Sequence, residues 1–283
     1  MKEAINMMLK HLFVEVKITQ ALKKVLEISL LTSLYTLALL GLFTYTNTPS
    51  WPWLDNIISA FAAIIGALLV FRTNRAYERW WEARTLWGSL VNVSRNLAIK
   101  LKIILNPSPK EAKVYSLLIT TFSEALAIHL RKSHNDNALN KLLNLKKIPK
   151  HVPSYLATQL FNHIYQSLGK DQSIDKLVID TEFRELMVVC GGCEKINSTL
   201  MSTSYRMFVK HVMLLFILIM PLTLIQSIGI YSILVVMFSS YLILALEAIA
   251  RNLEQPFGEC EDHIQLSQIN NNIQQSVNDI LCA

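Results

Sequence analysis

Two long stretches of the chain, Ile28 to Leu54 and Val212 to Leu246, contain no Asp, Glu, Lys or Arg. About 20 helical residues cross the hydrocarbon core of a bilayer, so these are membrane lengths. The first stretch predicts a span over roughly Glu27 to Tyr45, closed by "TNTPSWPW", whose two prolines break helix and whose two tryptophans suit the headgroup zone. The second predicts two spans, about 207 to 226 and 231 to 250, joined by the uncharged "QSIGIY". Between them a further helix is predicted from near Asn56, uncharged as far as Phe71 and then arginine-rich in helical period to about Leu105. Its uncharged part is slightly short for lipid at 1.5 Å per residue. Ser59, Ala60, Ala62, Ala63, Gly66 and Ala67 suit it instead to close approach by other helices.

Residues 3 to 24 alternate apolar Ile5, Leu9, Leu12 and Val16 with Lys10, Lys17 and Lys24, the pattern of an interfacial helix leading into the first span. From Lys110 to Tyr205 the chain reads as a helical domain, with amphipathic stretches near 110 to 132, 152 to 168 and 179 to 206. "NPSP", "KKIPKHVP" and "GKDQS" separate them. No run of β alternation and no repeat is present. The expected fold is all-α, with four transmembrane helices plus a cytosolic helical domain. Its segments are 1–26 (amphipathic helix), 27–71 (first two membrane helices), 72–206 (cytosolic), 207–250 (third and fourth membrane helices) and 251–283 (cytosolic C-terminal segment).

Composition agrees with this reading: mean hydropathy is +0.34 and only 17% of residues are charged, against about 25% in soluble domains. The start of the chain carries scattered charges and no small-residue cleavage signature, so the first apolar run is expected to stay as an anchor. The net charge of +6 does not point to nucleic acid, because the basic residues flank membrane segments. Lys10, Lys17, Lys23 and Lys24 precede the first span, and Arg72, Arg75, Arg79 and Arg84 follow the second. The short outer loops hold no lysine or arginine, which places both termini and the middle domain in the cytoplasm. Cys190, Cys193, Cys260 and Cys282 then lie on the reducing side, and no disulfide framework is expected.

Enzymatic signatures are missing: no HExxH, no phosphate-cradling glycine loop and no GxSxG. "CGGC" at Cys190 to Cys193 lacks both a βαβ context and a second Cys/His pair at ligand spacing, and reads as small residues packed in a helix. His129, His134, His151 and His163 also lack ligand spacing and read as ordinary surface or core histidines. Glu247, near a membrane helix end, needs a partner, and Arg251 one turn on or Arg72 can supply it. In "VFRTNRAYERWWEARTLWG", Trp80, Trp81 and Trp87 are expected to pack in a scaffold, with Arg79, Glu82 and Arg84 as its ion-pair network.

These residues carry a resemblance. "FRTNRAYERWWEARTLWGSLVNVSRNL", followed in order by "GCEKI" at Gly192 to Ile196 and "LEQPFGE" at Leu253 to Glu259, resembles the signature of the bestrophin family in its bacterial branch. The resemblance implies a homopentameric ion channel of the bacterial inner membrane with one axial pore lined by the second helix, and not an enzyme. It places an apolar neck at Ala63, Ala67 and Phe71 and a cytosolic constriction at Ile174. Arg72, Arg79, Trp80, Trp81, Glu82, Arg84, Glu247, Pro256, Phe257 and Gly258 form the structural signature. The implied partners are other copies of the chain, membrane lipid and permeating inorganic ions, with no cofactor, no metal and no nucleic acid.

Two departures bear on mechanism. Alanines stand at two neck positions where the family carries bulky apolar residues, and "PFGECEDHIQL" retains only Glu259, Glu261 and Asp262 of the acidic run that binds calcium in animal members. Calcium takes about six to eight oxygens, so calcium gating is not expected. Arg75, one turn beyond Phe71 on the same stripe, would set five guanidiniums around the neck exit and favour anions such as chloride, unless it turns aside to pair with Glu78 or Glu82 and leaves the axis neutral. A cation-selective channel for sodium or potassium, and a non-conducting anchor with a partner-binding domain, are the alternatives.

Overall fold

In the computed structural model, residues 20–46, 51–131, 149–168 and 173–282 are described. The interfacial helix expected over residues 3 to 24 falls almost wholly outside them. Among the described residues every regular element is a helix: α1 Gln20–Thr46, α2 Pro52–Leu105, α3 Pro109–Leu130, α4 Val152–Ser167, α5 Ser173–Ser198, α6 Thr203–Ile228, α7 Ser232–Leu253 and α8 Leu266–Cys282. A single 3₁₀ turn, Gly229–Tyr231, separates α6 from α7.

The chain divides into two compact units, one of residues 1–77 and 201–252, the other of residues 78–200 and 253–283. In the first, three stretches are long and apolar enough to cross a membrane: Leu22–Thr46, the start of α2, and Thr203–Leu253. The last of these is interrupted where the sequence places "QSIGIY". Gly229 adopts φ 58°, a left-handed conformation that a side chain makes costly, and it ends α6 one turn before α7 begins. Ile65 and Leu69 of α2 cluster with Val209, Met213, Phe216 and Met220 of α6 and Val236 of α7. Helix α1 joins α7 through Val25, Ala245 and Ala248, and through a 2.9 Å hydrogen bond between the Thr32 and Ser240 hydroxyls. The backbone N–H of Trp51 donates to Gln226 Oε1 at 2.8 Å, tying the start of α2 to the end of α6.

Helix α2 begins at Pro52, four residues before the sequence expectation, because proline suits a first helical turn whose N–H would have no intrahelical partner. It ends at Leu105 where Asn106 turns to φ 42°. Ser108 then opens α3 with a capping box: its backbone N–H donates to Glu111 Oε2 at 2.9 Å, and its side chain accepts from the Glu111 N–H.

The second unit buries the apolar faces of its helices around Trp87, Leu90, Leu97, Leu101, Phe122, Leu126, Leu160 and Ile179. Helix α3 packs on both α4 and α8. Helix α8 adds Leu266, Ile273, Val277 and Leu281 to this core, a helix that the sequence reading left as an undivided C-terminal segment. The stretch expected as one helix over 179 to 206 is two. Helix α5 stops at Ser198 and α6 starts at Thr203, for a reason that lies in Arg79.

Candidate pore-lining face and the groups behind it

At 3.6 residues per turn, positions two apart lie about 200° around a helix. Along α2, Ile65, Leu69, Arg72 and Ala76 are buried in the first unit. Ala63 and Ala67 therefore fall on the opposite side, Phe71 and then Arg75 drift from it toward the flank, and all four are exposed on the single chain. Phe71 is 67% exposed. Ile64 and Val70 are also exposed, so this uncovered face is broad.

What holds the other face is a buried ion pair. Arg72 Nε lies 2.5 Å from Glu247 Oε2, with both side chains almost fully buried, and Arg251 Nη2 approaches the second carboxylate oxygen at 3.8 Å. Both partners foreseen for Glu247 are thus present, with Arg72 the nearer. An ion pair excluded from water fixes rotation, since turning α2 by one residue would strand both charges.

Arg79 feels the charge of Glu82, as the expected network has it, but directs its hydrogen bonds elsewhere. Its guanidinium donates to three backbone carbonyls: Nε to Glu254 O at 2.7 Å, and its two terminal nitrogens to Ile196 O and Thr199 O. Carbonyls at a helix C-terminus have no intrahelical partner, so a planar fork that reaches two of them ends α5 there. Glu82 also approaches Lys195, at 3.9 Å. Trp87 is fully buried, while Trp80, Trp81 and Arg84 line an open cleft with Gly88, Asn92, Ile269 and Asn272.

The two other signature motifs are joints within the second unit. In "LEQPFGE" the Glu254 carbonyl receives Arg79, the Pro256 carbonyl accepts the Ile264 N–H at 2.9 Å, and Phe257 enters the core. A Cβ on Gly258 would meet the His263 ring at 2.2 Å, so any larger residue would have to displace that ring. In "GCEKI" a Cβ on Gly192 would press on the Leu86 side chain at 3.0 Å. Cys190 and Cys193 are buried, and burial first, then Glu194 for Cys190 and the Cys190 sulfur and Glu194 for Cys193, pushes both up to about 12. Thiols so protonated are poor nucleophiles at neutral pH. Ile174 stands in the first turn of α5, 76% exposed.

The structure also assembles a group that sequence spacing hides. His129, His151 and Glu194 converge, with His129 Nε2 3.0 Å and His151 Nε2 2.5 Å from the same Glu194 oxygen. The residues come from three elements, so only the fold brings them together.

An all-helical chain with apolar spans, an uncovered stripe of small residues and a helical second unit defines a polytopic membrane protein. Residues 6–279 match the family described as "Bacterial/Fungal Bestrophin protein". The chain belongs to the bestrophin family. It is 31% identical over 242 residues to a voltage-dependent anion channel-forming protein of a Nostoc species, covering 82% of this chain and 78% of that one. A Synechocystis protein of the same name is 27% identical, covering 77% and 75%. Among solved structures, a bacterial bestrophin homolog from Klebsiella pneumoniae superposes with a TM-score of 0.80 at 24% identity, over 92% of this chain and 98% of that one.

Proposed function

We propose that the chain is one subunit of a homopentameric channel that passes small monovalent ions across the bacterial inner membrane, anions in preference, with both termini in the cytoplasm. The observation that carries this reading is the exposed stripe Ala63, Ala67, Phe71, Arg75, set against a face locked by the buried Arg72–Glu247 pair. Small residues on a helix that is short of a full lipid crossing support contact with other copies and with a water-filled axis. The relatives' names, anion channel-forming proteins, support conduction rather than catalysis. In this reading α1, α2, α6 and α7 are the four membrane helices. Phe71 is the narrowest apolar ring, Ile174 forms a second ring, and five Arg75 guanidiniums lower the barrier for anions.

The test is electrical. Purified protein in planar bilayers under a KCl gradient is expected to reverse toward the chloride potential. Arg75→Glu is expected to move that reversal toward cations, and Phe71→Ala to raise conductance severalfold. A wild type that reverses at the potassium potential defeats the arginine ring and leaves the cation-selective channel. The absence of any current, or of pentamers by native mass spectrometry, defeats the axial pore and leaves the membrane anchor.

A further inference from the structure

Conduction makes no use of the three side chains that meet at the ends of α3, α4 and α5. His129 lies in the last turn of α3, His151 is the N-cap of α4, and Glu194 stands near the C-terminal end of α5. One donor atom from each lies within 4.8 Å of the others, and the imidazole centroids are 4.9 Å apart. All three side chains are about one-third exposed, so an ion from solvent can reach them. Two imidazole nitrogens and one carboxylate oxygen make a donor set suited to borderline transition metals, whereas calcium and magnesium require shells of oxygen.

We propose that His129, His151 and Glu194 form a binding site for a divalent transition-metal ion, zinc by preference, with its fourth position open to water. The arrangement explains why two Nε2 atoms address one carboxylate oxygen. In the metal-free geometry His151 Nδ1 accepts the Ser154 N–H at 3.1 Å, so Nε2 carries the ring hydrogen and donates it to Glu194. A metal ion takes the Nε2 lone pair, and the ring proton moves to Nδ1. Loading the site therefore opens the cap of α4, which holds the expected dissociation constant on the order of micromolar rather than tighter.

The experiment uses full-length protein in detergent with no histidine tag, titrated with zinc chloride and with cobalt(II) chloride as the absorbing surrogate. One zinc per subunit is expected after dialysis against micromolar zinc, with cobalt bands that zinc displaces. His151→Asn removes the imidazole but keeps a strong N-cap residue, so the fold is retained while affinity falls about a hundredfold or more. His129→Gln is expected to do the same from another helix. Hydrogen exchange at the Ser154 amide is expected to quicken as zinc binds. No stoichiometric zinc on the wild type, undiminished binding by the His129→Gln, His151→Asn double variant, or unchanged exchange at Ser154 each overturns the site.

Discussion

The two units of this chain differ in how they divide apolar and polar side chains between inside and outside. In residues 78–200 and 253–283 the core is made of large apolar side chains: Trp87, Leu90, Leu97, Leu101, Phe122 and Leu126 have no exposed surface. In residues 1–77 and 201–252 they face outward, with Leu31, Leu34, Leu234 and Phe238 each more than 60% exposed. Besides the apolar cluster around Leu69 and Met213, that unit hides polar groups that lipid would solvate badly: Ser29, Thr36, Ser232, Ser240, Arg72 and Glu247. One physical rule accounts for both. Each unit withdraws from its surroundings whatever those surroundings solvate badly, and lipid tails solvate hydroxyls and charges as badly as water solvates leucine.

If that contrast is correct, the same kind of truncation must have different consequences in the two units. The largest expected effect is Glu247→Ala, which leaves Arg72 buried without its nearest carboxylate and is expected to cost about 3–5 kcal/mol. The measurement is the thermal transition in detergent, together with the yield of monodisperse protein. Replacing both partners at once, Arg72→Met with Glu247→Leu, is expected to recover most of the loss, since no orphan charge remains. Equal stability for wild type and Glu247→Ala would break the comparison on the first unit's side.

Phe122→Ala sharpens the second unit's side. A fully buried phenylalanine in a closely packed core is expected to cost about 3–5 kcal/mol when truncated. Leu34→Ala removes an aliphatic side chain from an outward position in α1, 62% exposed. It is expected to change stability by less than about 1 kcal/mol, because lipid is as apolar as the leucine it touched. A Leu34→Ala variant as damaged as Phe122→Ala would mean that this face of α1 is covered by protein.

The contrast between the units was legible in the sequence because it is compositional. Charge-free runs at Ile28 to Leu54 and Val212 to Leu246 need no tertiary information. Helix α8 was legible in principle, since Leu266, Ile273, Val277 and Leu281 recur on one face. Ile269 and Ile280 widen that stripe, which stands among the asparagines and glutamines of "QINNNIQQSVND". The three carbonyls that accept from Arg79 were not legible, because a carbonyl acceptor leaves no trace in side-chain identity, whereas its electrostatic partner Glu82 was. The His129, His151 and Glu194 cluster could not be read at all. Metal motifs are recognised by short spacing on one element, and these residues are brought together by the ends of three.

Arg79 supplies a middle-sized test within the second unit. Lysine keeps the charge but loses the planar fork, so it can satisfy at most part of a set of three carbonyls that lie in different directions. Arg79→Lys is expected to destabilise by about 2 kcal/mol, roughly one charge-assisted hydrogen bond. Faster hydrogen exchange at the C-terminal turn of α5 is expected, with the N-terminal turns unchanged. Uniform exchange throughout α5 would show that the helix end is held by something else.

The smallest effect comes from the cysteines, all four of which lie in the second unit. Burial raises the Cys190 and Cys193 thiols from 9.0 to about 12. Between those values the unfolded chain has lost these protons while the folded chain keeps them, so stability falls as pH rises. The contribution of the buried thiols is fully present below pH 9.0 and is lost progressively on approach to pH 12. One unit above the unfolded value, each thiol is expected to account for about 1 kcal/mol of that loss. Serine does not titrate in this range, so the Cys190→Ser, Cys193→Ser variant is expected to lose stability less steeply from pH 9 to 10, whatever its stability at neutral pH. The same protonation makes the native protein selective toward alkylation. Maleimide at pH 8 is expected to label exposed Cys260 and Cys282 and to spare Cys190 and Cys193 until the chain unfolds. Labelling of all four thiols in folded protein would show that the second unit opens to solvent around α5, and its core would then be less closed than the comparison with the first unit requires.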